Sequence, residues 1–216
     1  MTQLVPAILA STAHALETQA SDIVSLADLV SYDVMDGAFV SEGTPRPGQF
    51  PILPPGSSLF WHLMVHDPLT YLDECLAHPN ESKIVAVHAE AVGLEAALER
   101  LRTEEVIVGL VLNPATRVAD VHSLIRSVDL VQIMTTIPGA QGHQFLPAML
   151  EKVQELKELR ENLLVAIDGG ADLATIAMIA RFWPDYVAVG SALTEATDPA
   201  DTYRAMERLV ASAQSS

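Results

Sequence analysis

The sequence predicts an α/β fold, a single (β/α)8 TIM barrel occupying residues 1–216, with an irregular, proline-rich second βα unit. Three observations predict it. Apolar runs of strand length recur near residues 4–9, 29–33, 59–64, 83–88, 106–112, 130–134, 163–168 and 186–189. The runs are continuous rather than alternating, as expected of strands covered on both faces in a parallel sheet. Segments of helical character separate them, and eight such repeats in 216 residues fit a compact barrel better than a doubly wound open sheet.

In chain order, the run at 4–9 is followed by a helix starting near Thr12, and the run at 29–33 ends on Asp33. Residues 41–58 then carry Pro45, Pro47, Pro51, Pro54 and Pro55, which preclude a normal crossover helix and predict an irregular loop. After the run at 59–64 a helix is expected from about Pro68, and after 83–88 the periodicity predicts a helix over 93–102. The run at 106–112 leads to a helix over 118–127, and the run at 130–134 to a glycine-containing loop and a helix over 147–159. The last two runs are followed by helices from about Leu173 and over 199–213.

Composition narrows the function. No run reaches the roughly 18 apolar residues needed to span a bilayer, and no basic region followed by an apolar stretch marks a secretory signal. The single Cys75 excludes an internal disulfide, so a cytoplasmic protein with no membrane partner is expected. Twelve basic against 28 acidic residues give a net charge of −16, which opposes binding to nucleic-acid phosphates. Lysine occurs only at Lys83, Lys152 and Lys157, none of them ending a strand-like run, which disfavours a Schiff-base mechanism.

Unusual polar residues stand at the carboxyl ends of the apolar runs: Asp33, His62, His88, Asn113 and Asp168. A strand-terminal Asp also caps helices and orders turns, and a lone His is usually a satisfied structural residue. A barrel, however, gathers all these ends into one mouth, where ligands bind. Two carboxylates there suit proton transfer between the two faces of a substrate carbon. Glycine clusters follow the last three runs: Gly139 and Gly142, Gly169 and Gly170, and Gly190 with Ser191. Such loops, with a short helix N-terminus, form the frequent phosphate site of this fold, because glycine lets backbone N–H groups approach an anion.

These segments carry a resemblance. Asp33-Val34-Met35-Asp36-Gly37, His62-Leu63-Met64, His88-Ala89-Glu90, Asn113-Pro114-Ala115-Thr116, Asp168-Gly169-Gly170 and Gly190-Ser191-Ala192 occur in an order and spacing that resemble the ribulose-phosphate 3-epimerase family, from about Pro6 to the last helix. The resemblance implies interconversion of D-ribulose 5-phosphate and D-xylulose 5-phosphate, with Asp33 and Asp168 transferring protons at C3. It also implies a divalent metal (Zn, Fe, Mn or Co) held by Asp33, His62 and Asp168. Met35, Met64 and Met134 would wall the substrate pocket, and the protein would be a homo-oligomer.

The chain departs from the family's pattern at several points. Ser31 stands where the family has a second metal histidine, and a hydroxyl is a poor substitute for imidazole, so weakened metal occupancy and reduced activity are expected. Ala7 replaces a serine, the family's glycine-rich loop reads Pro138-Gly139-Ala140-Gln141-Gly142-His143, and the proline-rich stretch replaces the usual segment after Gly37. Alternative readings are a non-catalytic or regulatory phosphosugar binder, an epimerase for another ketose phosphate, or a different barrel enzyme. Related decarboxylases use a D-x-K-x-x-D strand motif, which Asp33-Val34-Met35-Asp36 lacks.

Overall fold

The computed structural model describes residues 1–139 and 144–215. Eight parallel strands close on themselves in sequence order: β1 (Gln3–Ile8), β2 (Leu29–Met35), β3 (Ser58–Met64), β4 (Glu81–His88), β5 (Ile107–Leu112), β6 (Leu130–Met134), β7 (Leu164–Asp168) and β8 (Tyr186–Val189), with β8 pairing back to β1. All eight expected strands are present. Their inward side chains, among them Val5, Leu29, Phe60, Ile84, Ala86, Val111, Leu130 and Ala166, fill the barrel interior. The alternate residues, such as Val30, Tyr32, Trp61, Leu63, Val85, Val87 and Val165, meet the surrounding helices in the larger apolar core. Burial on both faces explains why the strands read as unbroken apolar runs.

The helices are α1 (Ala13–Ile23), α2 (Leu69–Leu76), α3 (Leu94–Leu101), α4 (His122–Ile125), α5 (Glu151–Leu159), α6 (Ile176–Ala180), α7 (Ser191–Thr194) and α8 (Pro199–Gln214). Thr12 caps α1 by accepting from the Ala15 N–H, and Asp198 caps α8 by accepting from Asp201. Three helices are shorter than expected: in the one expected over 147–159, a 3-10 turn, Pro147–Leu150, precedes α5. Residues 118–127 form a 3-10 turn, Val118–Val121, and then the single turn of α4. Near Leu173, the Asp172 carboxylate accepts from the Ala174 and Thr175 N–H groups and makes a turn, so α6 starts only at Ile176.

The proline-rich unit has no crossover helix, as expected; its regular structure is one 3-10 turn, Pro47–Gln49. Side chains anchor the rest. Phe50 and Leu53 are buried beneath it, with the Phe50 ring 4.8 Å from Tyr32 and 5.6 Å from Trp61. The Tyr32 hydroxyl donates to Pro51 O (2.8 Å), and buried Asn80 accepts from Leu53 N (2.8 Å) while donating to Leu53 O (3.1 Å). Arg46 binds Glu74 and lies 4.0 Å above the Tyr71 ring. Among the described residues no helix is long and apolar enough to cross a membrane.

Candidate active site

Strand register brings the polar strand ends together. Asp33 on β2 pairs with His62 on β3, and β7 places Asp168 beside Met134 of β6. Around the barrel β2 and β7 are separated by β1 and β8, so Asp33 and Asp168 approach one centre from different sides. One ligand atom from each of Asp33, His62 and Asp168 lies within 4.8 Å of the others. His62 is fully buried, with Nδ1 at 2.9 Å from Asp168 Oδ2 and 3.4 Å from Asp33 Oδ1. Neither contact has hydrogen-bond alignment, and Nδ1 has no hydrogen-bond partner among the described residues. A buried imidazole nitrogen facing two carboxylates without such a partner, in a compact N,O,O donor set, fits a divalent cation.

The electrostatics separate these groups. Burial raises Asp33 above the usual carboxylate range and the nearby Asp168 charge adds to that, against the opposing pull of the His62 imidazole and the Ser31 hydroxyl. Burial disfavours a charged His62, but the carboxylates of Asp168 and Asp33 outweigh it and raise the imidazole to about 9. Ser31, expected as an inadequate metal ligand, gives its hydroxyl to Asp33 Oδ1 at 3.2 Å. Gln132 donates its amide to Asp168 Oδ2 at 3.0 Å. Each carboxylate therefore has a neutral, buried hydrogen-bond donor of its own.

Behind His62 stands a second imidazole. His62 Nε2 lies 3.0 Å from His88 Nε2, and His88 Nδ1 lies 3.3 Å from Glu90 Oε2. Burial drives His88 down to about 4, so it is neutral at physiological pH. Phe39, held by hydrogen bonds from its own and the Ala38 N–H to Asp36 (both 2.8 Å), covers His88 with ring centroids 4.6 Å apart. Glu90 Oε1 accepts from the Asn113 N–H (3.1 Å) and the Thr116 hydroxyl. Lys152 fixes that loop by donating to the carbonyls of Asn113, Pro114 and Thr116 (3.1, 3.0 and 2.8 Å).

A cleft opens above the carboxylates, lined by Ala7, Met64 and Met134 and by Gly139, Gly169, Gly170, Gly190 and Ser191. Gly169 and Gly170 have positive φ (111° and 69°). A Cβ on Gly169 would overlap Thr136, and one on Gly170 would lie 2.9 Å from Phe145 Cβ, so only glycine fits this turn. Thr135 pins the same turn by donating its N–H to Asp168 O (2.7 Å) and its hydroxyl to Gly169 O (2.6 Å). Met35, expected to wall the pocket with the other two methionines, does not line this cleft. It is buried at the end of β2, with its backbone engaged by Thr44. Gly142 lies outside the described residues.

Sequence reasoning missed Gln132, Thr135 and the part played by Glu90. Only Gln132 carries a visible signal, an amide in the otherwise apolar Leu130–Met134 strand.

Comparison with known proteins places this arrangement in context. The sequence profile described as "Ribulose-phosphate 3 epimerase family" matches residues 3–194. Ribulose-phosphate 3-epimerase of Bacillus subtilis is 30% identical over 207 residues, covering 92% of this chain and 94% of that protein. The enzyme of the same name from Aquifex aeolicus is 30% identical over the full length of both. Among solved structures, KGPDC from Streptococcus mutans superposes with a TM-score of 0.72 at 13% identity, over 99% of each chain. The 3-hexulose-6-phosphate synthase of Salmonella typhimurium superposes with a TM-score of 0.70 at 17% identity, over 98% of this chain and 100% of that one. At such low identity the structural matches speak for the barrel alone.

Proposed function

The chain belongs to the ribulose-phosphate 3-epimerase family, and from that premise we propose that it interconverts D-ribulose 5-phosphate and D-xylulose 5-phosphate by two-aspartate proton transfer at C3. The observation that carries the reading is the pair Asp33 and Asp168 around one buried centre, with Asp33 held above the ordinary carboxylate range by burial and by its partner's charge. Two carboxyl groups that reach one carbon from different sides supply a base on one face and an acid on the other.

One aspartate takes the C3 proton, the electron pair left behind spreads into the C2 carbonyl, and an enediolate forms. The other aspartate delivers a proton to the opposite face of C3, which inverts it. Ser31 and Gln132 hold the two carboxylates in place during the exchange. Asp33, His62 and Asp168 would hold a divalent ion. Bound there, it supplies positive charge beside the oxyanion that develops on the substrate. Met64 and Met134 give the cleft apolar walls. The substrate phosphate is read into the glycine-lined end of the cleft, at Gly139, Gly169, Gly170, Gly190 and Ser191, where amide donors suit a chain with few cations. Its place in the family, one of whose relatives is named a cytoplasmic isoform, supports reading the protein as a cytoplasmic homo-oligomer.

A coupled assay of purified, metal-analysed protein tests the reading. Supplied with Zn2+ or Mn2+, the protein is expected to form xylulose 5-phosphate from ribulose 5-phosphate, and to lose most of that activity with chelator. Metal-replete protein that binds ribulose 5-phosphate without converting it would instead be a phosphosugar-binding member of the family.

A further inference from the structure

The two buried imidazoles behind the carboxylates form a chain whose hydrogens are fixed from its far end. Both rings are fully buried, so no solvent molecule supplies a missing donor or acceptor. Across the 3.0 Å separation of His62 Nε2 and His88 Nε2, one nitrogen must carry the hydrogen and the other the lone pair. His88 Nδ1 faces Glu90 Oε2, and an ionised carboxylate only accepts. Although burial opposes its ionisation, Glu90 is held below its usual range by hydrogen bonds from His88, Thr116 and the Asn113 N–H.

We propose that Glu90 is a positioning residue that acts through His88: it fixes the His88 hydrogen on Nδ1, holds a hydrogen on His62 Nε2, and so leaves His62 Nδ1 as the nitrogen that offers its lone pair to a cation bound between Asp33 and Asp168. This rests on the reading that Asp33, His62 and Asp168 hold a divalent ion. It accounts for a buried nitrogen that lies close to two carboxylates without hydrogen-bond alignment to either. It also gives a purpose to the Lys152 anchor, which holds the loop that supplies the Asn113 N–H to Glu90. Outer partners of a ligating histidine set its tautomer and orientation in this manner.

Glu90→Gln tests it with almost no change of shape. The Asn113 N–H, 3.1 Å from Oε1, is an obligate donor, so the new amide must turn its oxygen there and its NH2 toward His88 Nδ1. His88 then carries its hydrogen on Nε2, His62 must accept with its own Nε2, and His62 Nδ1 can no longer give up its hydrogen to a cation without leaving the ring anionic. Thr116→Val is the control, because it removes a donor to the same carboxylate without reversing any hydrogen.

Zn2+ titration is expected to show affinity falling roughly 10- to 100-fold in Glu90→Gln and changing less than about threefold in Thr116→Val. In the Zn2+-loaded parent, imidazole 15N spectra should show His62 ligated through Nδ1 and protonated on Nε2. Ligation through Nε2, unchanged affinity in Glu90→Gln, or equal losses in the two variants would overturn the proposal. If the parent takes up no Zn2+, the metal reading fails by itself. The metal-free spectra then decide the rest: His88 protonated on Nδ1 sustains the relay, and His88 protonated on Nε2 overturns it.

Discussion

Asp33, His62 and Asp168 crowd three ionisable groups into a space where the two carboxylates act on the imidazole between them. His62 is fully buried, which opposes its charge, yet the two carboxylates raise it to about 9. At neutral pH the metal-free imidazole is therefore protonated, and an entering divalent ion must displace that proton. The sign follows directly. Apparent affinity rises with pH up to about 9, and below that each unit of acidification costs about tenfold as the proton competes for Nδ1. Calorimetric titration with Zn2+ at pH 7 in buffers of different ionisation enthalpy should report release of at least about one proton per ion bound. Binding without proton release would show that His62 is either neutral beforehand or not a ligand. Ser31 is the residue whose consequence the sequence conveyed only in part. The absence of an imidazole could be read from the chain, whereas its hydroxyl bond to Asp33 depends on the inward face of β2.

At the scale of elements, the β2–β3 connection departs most from a regular βα unit. Its five prolines made the missing helix legible, but not what replaces it. Phe50 and Leu53 cover the outer faces of β2 and β3, and Asn80 holds the Leu53 backbone from beyond α2. Those contacts join residues 27 positions apart, and local pattern does not encode them. Asn80→Ala leaves a buried N–H and C=O unpartnered, at a cost of about 2 kcal/mol. For a chain of this size the Tm should fall by roughly 4–8 °C. Scanning calorimetry checks this, and an unchanged Tm would mean that the segment is held by its apolar side chains alone. Other elements depart from their sequence pattern for a related reason. The regular spacing of Val118, Val121 and Ile125 is that of a buried helical face, but its first turn winds as 3-10. The turn built on Asp172 takes the place of a first turn in α6.

For the molecule as a whole, the barrel was legible because its strands are buried on both sides, so their apolar runs stand out without help from tertiary context. Closure then carries the strand ends to a common mouth, which is why Asp33, His62 and Asp168 could be grouped before any distance was known. The supporting partners were not legible, since Gln132 meets Asp168 and Glu90 meets His88 only through inter-strand register and loop closure. In the proposed function Asp33 and Asp168 exchange protons with C3 of a ketose phosphate. This exchange is tested most directly by following solvent deuterium into C3 of ribulose 5-phosphate, using metal-supplied parent, Asp33→Asn and Asp168→Asn, each first shown to retain the parent's circular dichroism. Deuterium should enter C3 with the parent, and the epimerisation rate should fall by about 10²- to 10⁴-fold in each variant. Parent-like exchange and epimerisation in either variant, or no C3 exchange by the metal-replete parent, would contradict the claim.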